Sequence, residues 1–415
     1  MRVFKKMLEG YVKKGRLVII DADGEHHVIE GQEEGPEATI RFHSKTLPYT
    51  LMIDPELKGA EAYMDGLLTI EPPYRLVDMI SVFQANDGPI SQSRFHQVLL
   101  SLREGYSRQD QKLNLRKNKA QVRHHYDLST ELYRLFLDEG LNYSCAYYRT
   151  PEDTLEEAQQ AKLDHIVAKL DLKPGMRVLE IGGGWGSLAI RMAQEGVDVV
   201  SLNVSREQVK IAEERAAAAG LQDRIDFVIK DYNEFEGQFD RVVSVGMMEH
   251  VGIGNYEAYF GKVRDCLTED GFAMIHCIGR NTPPGTTGPF LLKYIFPGGY
   301  APAMSEVFKA TENLRLWVCD AEILRLHYYY TLRDWRRNFE RNREQIKEIY
   351  DERFCRMWEF YLAACEAGFQ SGSTMVFQLL IAKKRDAVPI TRDFITQNEQ
   401  EMLSRSHPTL RQAKG

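Results

Sequence analysis

Nowhere do the 415 residues approach the ~20 consecutive apolar positions that a membrane-crossing helix requires, so any contact with a bilayer is expected to be peripheral. Cysteine is sparse. The six residues Cys145, Cys266, Cys277, Cys319, Cys355 and Cys365 include no C-x-x-C pair. That excludes a zinc framework or a dense disulfide scaffold, predicts a reducing cytoplasmic setting, and leaves no metal to expect. A large excess of positive charge is also lacking. With 53 basic against 60 acidic residues the net charge is −7, which argues against a nucleic-acid partner for the molecule as a whole. The opening MRVFKKMLEGYVKKGRL is interrupted by charge too often to be a secretory h-region. Hydrophobic residues make up 43%, an ordinary globular share that excludes a disordered or collagen-like chain. At about 100–200 residues per domain, two or three domains are expected.

Residues 1–102 read as a small α+β unit. Strand candidates are Leu17–Ile20, His26–Ile29, Ala38–His43, Tyr49–Ile53 and Leu67–Ile70, with Asp23-Gly24 as a hairpin signal and a helix from about Tyr74 to Gln84. In the stretch 103–125, seven basic residues oppose only Glu104 and Asp110; it reads as a solvated linker or as a patch for anionic headgroups. From 126 to 385, strand and helix alternate. Met176–Ile181, Val197–Asn203, Ile225–Ile229, Arg241–Val245, Phe272–Ile278 and Met375–Ala382 are the strands. Thr154 with Glu157, and Ser205 with Gln208, are capping-box pairs that open helices. This order predicts an α/β fold with a mainly parallel sheet covered on both faces. The Gly- and Pro-rich segment Arg280–Asn313 breaks the rhythm as a lid or pocket insertion does, and residues 386–415 read as a loosely held polar tail.

The segment VLEIGGGWGS places Gly182, Gly183, Gly184 and Gly186 between a strand and a helix. Its spacing is E-x-G-x-G-x-G rather than G-x-G-x-x-G, and no basic residue is present to meet a phosphate. With Glu180 two positions before the first glycine, these features favour a ligand with a ribose and a positive charge. The loop resembles motif I of the S-adenosylmethionine-dependent methyltransferases of the Rossmann-like class, whose sheet has seven strands. That resemblance puts Asn203 beside the ribose hydroxyls; Asp231 either meets the adenine amino group or caps a turn.

Four further segments narrow the resemblance: His124–Tyr148, Val243–Gly252 (VSVGMMEHVG), Met274–Gly279 (MIHCIG) and Leu291–Gly299 (LLKYIFPGG). With the glycine loop they resemble the cyclopropane fatty acid synthase family over about Tyr126 to Ala382. The family implies transfer of a methyl group from S-adenosylmethionine to the cis alkene of a phospholipid acyl chain, followed by ring closure as a bound bicarbonate ion removes a proton. Carried over by motif, the bicarbonate site comprises the backbone amides of Cys145 and Ile278 with the side chains of Glu249, His276 and Tyr328; the tyrosine run also admits Tyr329 or Tyr330. Tyr143, Ser144 and Gln208 become cofactor contacts. Gly183 stands where the family often has Cys, and Phe290 where it often has Trp. A homodimer in peripheral contact with the inner face of the cell membrane is implied, with the N-terminal unit helping to engage the bilayer. Sister enzymes give methylene- or methyl-branched chains from the same alkene.

Overall fold

The computed structural model describes residues 1–86 and 128–406; the basic stretch 103–125 lies outside them. Packing separates two units, and neither is one stretch of sequence. The first gathers Met1–Phe136, Gly285–Gly299 and Tyr329–Thr374, and the second Leu137–Pro284, Tyr300–Tyr328 and Met375–Gly415.

In the first unit, β1 (Lys14–Ile20), β2 (His26–Glu30), β3 (Glu33–Phe42) and β4 (Leu68–Ile70) form a sheet in the order β2-β1-β3-β4. Asp21 shapes the β1–β2 turn by accepting the backbone N–H groups of Asp23 and Glu25, each at 3.0 Å. Alternation along β3 buries Ala38, Ile40 and Phe42 in one core with Leu17, Ile19 and Val82. The segment Tyr49–Ile53, expected as a strand, is instead part of the helix Leu47–Ile53. Pro48 lies in its first turn, where a missing N–H costs nothing, and Leu47 and Leu51 four residues apart are buried together. The long helix Glu352–Ser371 adds Ala363 and Ala367 to this same core, although Ala363 lies 281 positions beyond Val82.

The second unit carries a seven-stranded sheet of β5 (Arg177–Ile181), β6 (Asp198–Asn203), β7 (Ile225–Ile229), β8 (Phe239–Val245), β9 (Leu267–Arg280), β10 (Trp317–Leu324) and β11 (Thr374–Ala382). The order is β10-β11-β9-β8-β5-β6-β7. The pairings β5–β6, β6–β7, β5–β8 and β8–β9 are parallel, whereas β10 runs antiparallel to β11. Successive strand residues enter opposite cores. Leu179, Val242, Ile275 and Leu379 pack with Tyr259 and Phe260 of the helix Tyr256–Asp265 on one face. Val178, Val243, Met274 and Leu380 pack with Ile166 and Met192 on the other. Burial on both faces explains why these strands read as near-continuous apolar runs.

Residues 393–406 are more firmly held than the expected loose tail, of which 407–415 lie outside the described residues. Helix Asp393–Ser406 buries Ile395 and Met402 in the second of these cores. Its Asn398 donates to the Ala168 carbonyl at the end of the helix Leu155–Leu170. His165 of that helix lies between two carboxylates, with Nδ1 2.7 Å from Glu399 and Nε2 2.8 Å from Glu322. Burial opposes charge on the ring, but the two carboxylates outweigh it and the His165 pKa is raised. The stabilisation is therefore complete below the ordinary histidine value and is lost as pH rises through the raised one. His165→Gln is expected to cost about 1–3 kcal/mol. It should accelerate amide exchange within 393–406 and remove the pH dependence of that exchange once intrinsic rates are corrected. Unchanged protection would show that apolar packing alone holds the helix.

Candidate active site

The predicted residues gather where strands β5, β6, β8 and β9 end, the edge at which parallel sheets bind ligands. After β5 the chain turns through Gly182 and Gly184, both at positive φ (90° and 52°), and the side of Gly184 on which a Cβ would sit opens into free space. The amides of Gly182 and Gly183 both donate to the Leu202 carbonyl, each at 3.0 Å, which fastens the loop to the end of β6. Gly186, at φ 85°, starts the helix Ser187–Ala193; a Cβ there would lie 2.8 Å from Ala212.

Asn203 shapes this loop from below. Its Oδ1 accepts from the Val204 and Ser205 amides, and its Nδ2 donates to the Gly184 carbonyl (2.9 Å) and to Gln208 Oε1 (3.1 Å). All four hydrogen-bonding positions of the side chain are thus occupied within the loop. Asp231 accepts from the backbone and side chain of Asn233, the turn-capping alternative of the two read from the sequence. Glu180 is buried and accepts from Ser201 Oγ at 2.6 Å. Burial raises its pKa to about 7, against the opposing pull of the Ser201 hydroxyl and of Lys162.

The segment Asn142–Tyr148 is held from the helix Leu155–Leu170, which the predicted capping box of Thr154 and Glu157 does open. Gln159 Nε2 donates to the carbonyls of Asn142 and Ser144, and Lys162 Nζ to Asn142 Oδ1 and Ser144 Oγ. Cys145 is buried, while Tyr143 and Ser144 are half-buried. Further along, the Tyr148 amide donates to His327 Nδ1 at 3.0 Å. The Tyr147 ring stacks between His165 (4.4 Å) and His327 (4.7 Å). These contacts bind the Cys145 segment to that of Tyr328, which is itself buried.

Glu249 lies in the short turn Met248–His250 after β8. Its Oε1 accepts the Ile278 amide at 2.6 Å, so the N–H assigned to bicarbonate donates here to a side chain of the same site. Its Oε2 is buried with no hydrogen-bond partner among the described residues; the Cys277 thiol faces the carboxyl but donates to the Ile278 carbonyl at 3.0 Å. Burial pushes the carboxyl up to about 7, with the Ile278 N–H pulling the other way. His276, on β9 opposite Val245, lies with Nδ1 3.1 Å from the Gln378 amide. Burial lowers its pKa to about 3, helped by the charges of Lys162, Lys169 and His165, and the ring is neutral at physiological pH. Sequence reading did not single out Gln159, Lys162, Ser201, His327 or Gln378. The i, i+3 spacing of Gln159 and Lys162 was the one available signal, and on a helix it is equally the signature of a solvated face.

A mainly parallel seven-stranded α/β sheet with this glycine turn at its ligand edge has the fold of the class I S-adenosylmethionine-dependent methyltransferases. The family model for mycolic acid cyclopropane synthetase matches residues 113–379, and the chain belongs to that family. It is 41% identical over 260 residues to the cyclopropane-fatty-acyl-phospholipid synthase of Escherichia coli, covering 62% of this chain and 66% of that one. It is 40% identical over 273 residues to the tuberculostearic acid methyltransferase UfaA1 of Mycobacterium tuberculosis, covering 63% of this chain and 64% of that one. Each match thus spans just under two thirds of the relative's length. Among solved structures, the mycolic acid cyclopropane synthase CmaA1 complexed with SAH and CTAB superposes with a TM-score of 0.60 at 32% identity, over 63% of this chain and 97% of that one.

Proposed function

We propose that the protein transfers a one-carbon unit from S-adenosylmethionine to the cis double bond of an unsaturated phospholipid acyl chain, leaving a cyclopropane ring, with a bicarbonate ion as proton acceptor. The observation that carries this reading is the Glu249 carboxyl, with one oxygen on the Ile278 amide and the other buried without an N–H or O–H donor among the described residues, the Cys277 thiol being turned to the Ile278 carbonyl. A buried carboxylate oxygen in that state requires an O–H or N–H, and the hydroxyl of hydrogen carbonate is such a donor. The Cβ-free turn through Gly182 and Gly184, open to free space beside Gly184, fits the cofactor in the same sense.

When bound, S-adenosylmethionine supplies an electrophilic methyl group and bicarbonate a small oxygen base. The protein's own residues supply the setting. The glycine turn lets backbone approach a ligand closely, and the Asn203 network keeps that turn in shape. Glu249, as carboxylate, accepts a hydrogen at Oε2. Neutral His276 presents an N–H without adding positive charge near a cationic carbon. In net terms the acyl chain gains CH2 and one proton is released, so the site needs a base and a means of excluding water. The same reading has the protein work from the cytoplasm as a homodimer in peripheral contact with the membrane, a setting supported by the basic composition of 103–125.

Purified protein mixed with methyl-labelled cofactor and vesicles of cis-unsaturated phospholipid is expected to place label in the acyl chains, with cyclopropane protons upfield in the product NMR spectrum. Cofactor binding without lipid labelling would refute the substrate. A second reading, a methylene- or methyl-branched product, is favoured by the near-equal identities to the cyclopropane synthase and the tuberculostearic acid methyltransferase. Vinylic resonances in the same spectrum would select the methylene product, and methyl-branch resonances that appear only when a hydride donor is added would select its reduced form.

A further inference from the structure

Helix Leu155–Leu170 carries two buried lysines seven residues apart, and they are held differently. Lys169 forms ion pairs with Glu322 and Asp320. Lys162 is 3% exposed, and its ammonium reaches only Asn142 Oδ1 (2.9 Å) and Ser144 Oγ (3.3 Å), two neutral acceptors for three protons. Among the described residues no carboxylate lies within ion-pair distance of it. A buried charge without a counter-ion is costly, and a native site that keeps one usually completes it with something else.

The surroundings indicate what that is. Lys162 grips the Asn142–Cys145 segment, and the charged and titratable groups that face it are Asp138, Cys145 and Glu180, with His276 also in its field. Asp138 is turned toward the Gly140 and Asn142 amides and the Asn142 side chain. Glu180 holds the Ser201 hydroxyl, and burial works against its charge, raising its pKa to about 7. Neither carboxyl directly neutralises the ammonium. We infer that Lys162 is a positioning residue of the reaction centre, a buried cation that fixes the Asn142–Cys145 segment and supplies the positive field that retains a small oxyanion beside Glu249 and His276. The inference rests on the reading above, in that the anion is bicarbonate. Consistent with an uncompensated charge, burial lowers the Lys162 pKa to about 8, and Asp138, Cys145 and Glu180 restore it only in part.

Linkage fixes the signs. If the anion prefers charged Lys162 by about tenfold, its binding must raise the lysine titration midpoint by about one pH unit. Without the anion, loss of the Lys162 charge above about pH 8 must weaken anion binding as pH rises. The test follows the Lys162 side-chain carbon by NMR in wild-type protein labelled in lysine, its signal assigned by its loss in Lys162→Arg. Titrations are run with and without saturating bicarbonate, while the line width of 13C-bicarbonate reports binding independently. The expected result is a depressed midpoint that moves up by about one unit when bicarbonate is present. Lys162→Met should weaken bicarbonate binding about tenfold or more, and Lys162→Arg should retain it and abolish its decline between pH 8 and 9.5. Bicarbonate binding with an unmoved Lys162 midpoint overturns this inference and leaves the proposed function standing. Absence of bicarbonate binding by the wild type overturns both.

Discussion

Glu249→Gln is expected to lower turnover by about a hundred- to ten-thousand-fold, the range that a positioned base contributes and that is lost when the carboxylate no longer holds the bicarbonate, while cofactor affinity stays essentially unchanged. The substitution is conservative where it needs to be. Glutamine Oε1 can still accept the Ile278 amide, now at 2.6 Å from Glu249, so the end of β9 keeps its anchor. What is lost is the carboxylate at Oε2, the buried atom without a partner. Because burial raises this carboxyl to about 7, the wild-type rate should rise with pH through that value as the ionised form appears, and the glutamine variant should lack that limb. Stability moves the other way. A carboxyl whose folded-state pKa lies above its ordinary value favours folding when protonated, and that contribution is lost as pH rises toward 7. A permanently neutral glutamine avoids the loss, so the variant should be more stable above neutrality, by roughly 1–3 kcal/mol. A pH–rate profile and denaturant melts at pH 5 and 8 check both halves. Near-normal turnover in the variant would remove Glu249 from the chemistry.

The sheet was legible because its strands are buried on both sides and therefore spell themselves out as short apolar runs between capping signals. Six of its seven strands lie where the sequence places them. The seventh, β10, went unplaced for a physical reason. Among the described residues it pairs only with β11, and its Asp320 and Glu322 turn toward Lys169, His165 and Arg392 rather than toward an apolar core. Its polarity answers to partners 150 residues earlier and 70 later, which no local window reveals. The helix Asp393–Ser406 escaped notice similarly, since two buried side chains seven apart and one carboxylate aimed at His165 look like noise in a polar tail.

Within the site, the motif residues were legible as a set but their individual partners were not. Glu249 and Ile278 are 29 positions apart and meet because β8 and β9 are adjacent and parallel. Asn203, at the end of β6, spends its capacity on the loop it supports, an outcome that depends on where the Gly184 carbonyl points. Lys162 stayed hidden because a lysine on a helix is ordinarily solvated, and only the fold places loop acceptors over it.

The glycine loop allows a second sharp test. Gly183 is not among the glycines at positive φ, so its identity is a matter of space rather than of backbone conformation. A Cβ there would lie 1.9 Å from Ser201 Oγ and 3.0 Å from Glu180 Oε2. Gly183→Ala must therefore displace the serine hydroxyl, breaking its 2.6 Å hydrogen bond to a buried carboxyl. Overpacking costs about 1–3 kcal/mol, and an unsatisfied buried acceptor adds about 1–3 kcal/mol. The variant is thus expected to lose a large part of a typical domain's stability and to bind cofactor weakly, since the Gly183 amide itself helps fasten the turn to the Leu202 carbonyl, next to Ser201. Ser201→Ala removes the obstructing oxygen at the cost of the Glu180 hydrogen bond. In that background Gly183→Ala should cost under about 1.5 kcal/mol, leaving a coupling between the two positions of at least about 0.5 kcal/mol in a double-mutant cycle. Denaturant melts of the four proteins measure it directly. Strictly additive costs would mean that the loop moves aside instead of the serine, and that Ser201 and Glu180 do not decide which side chain position 183 accepts.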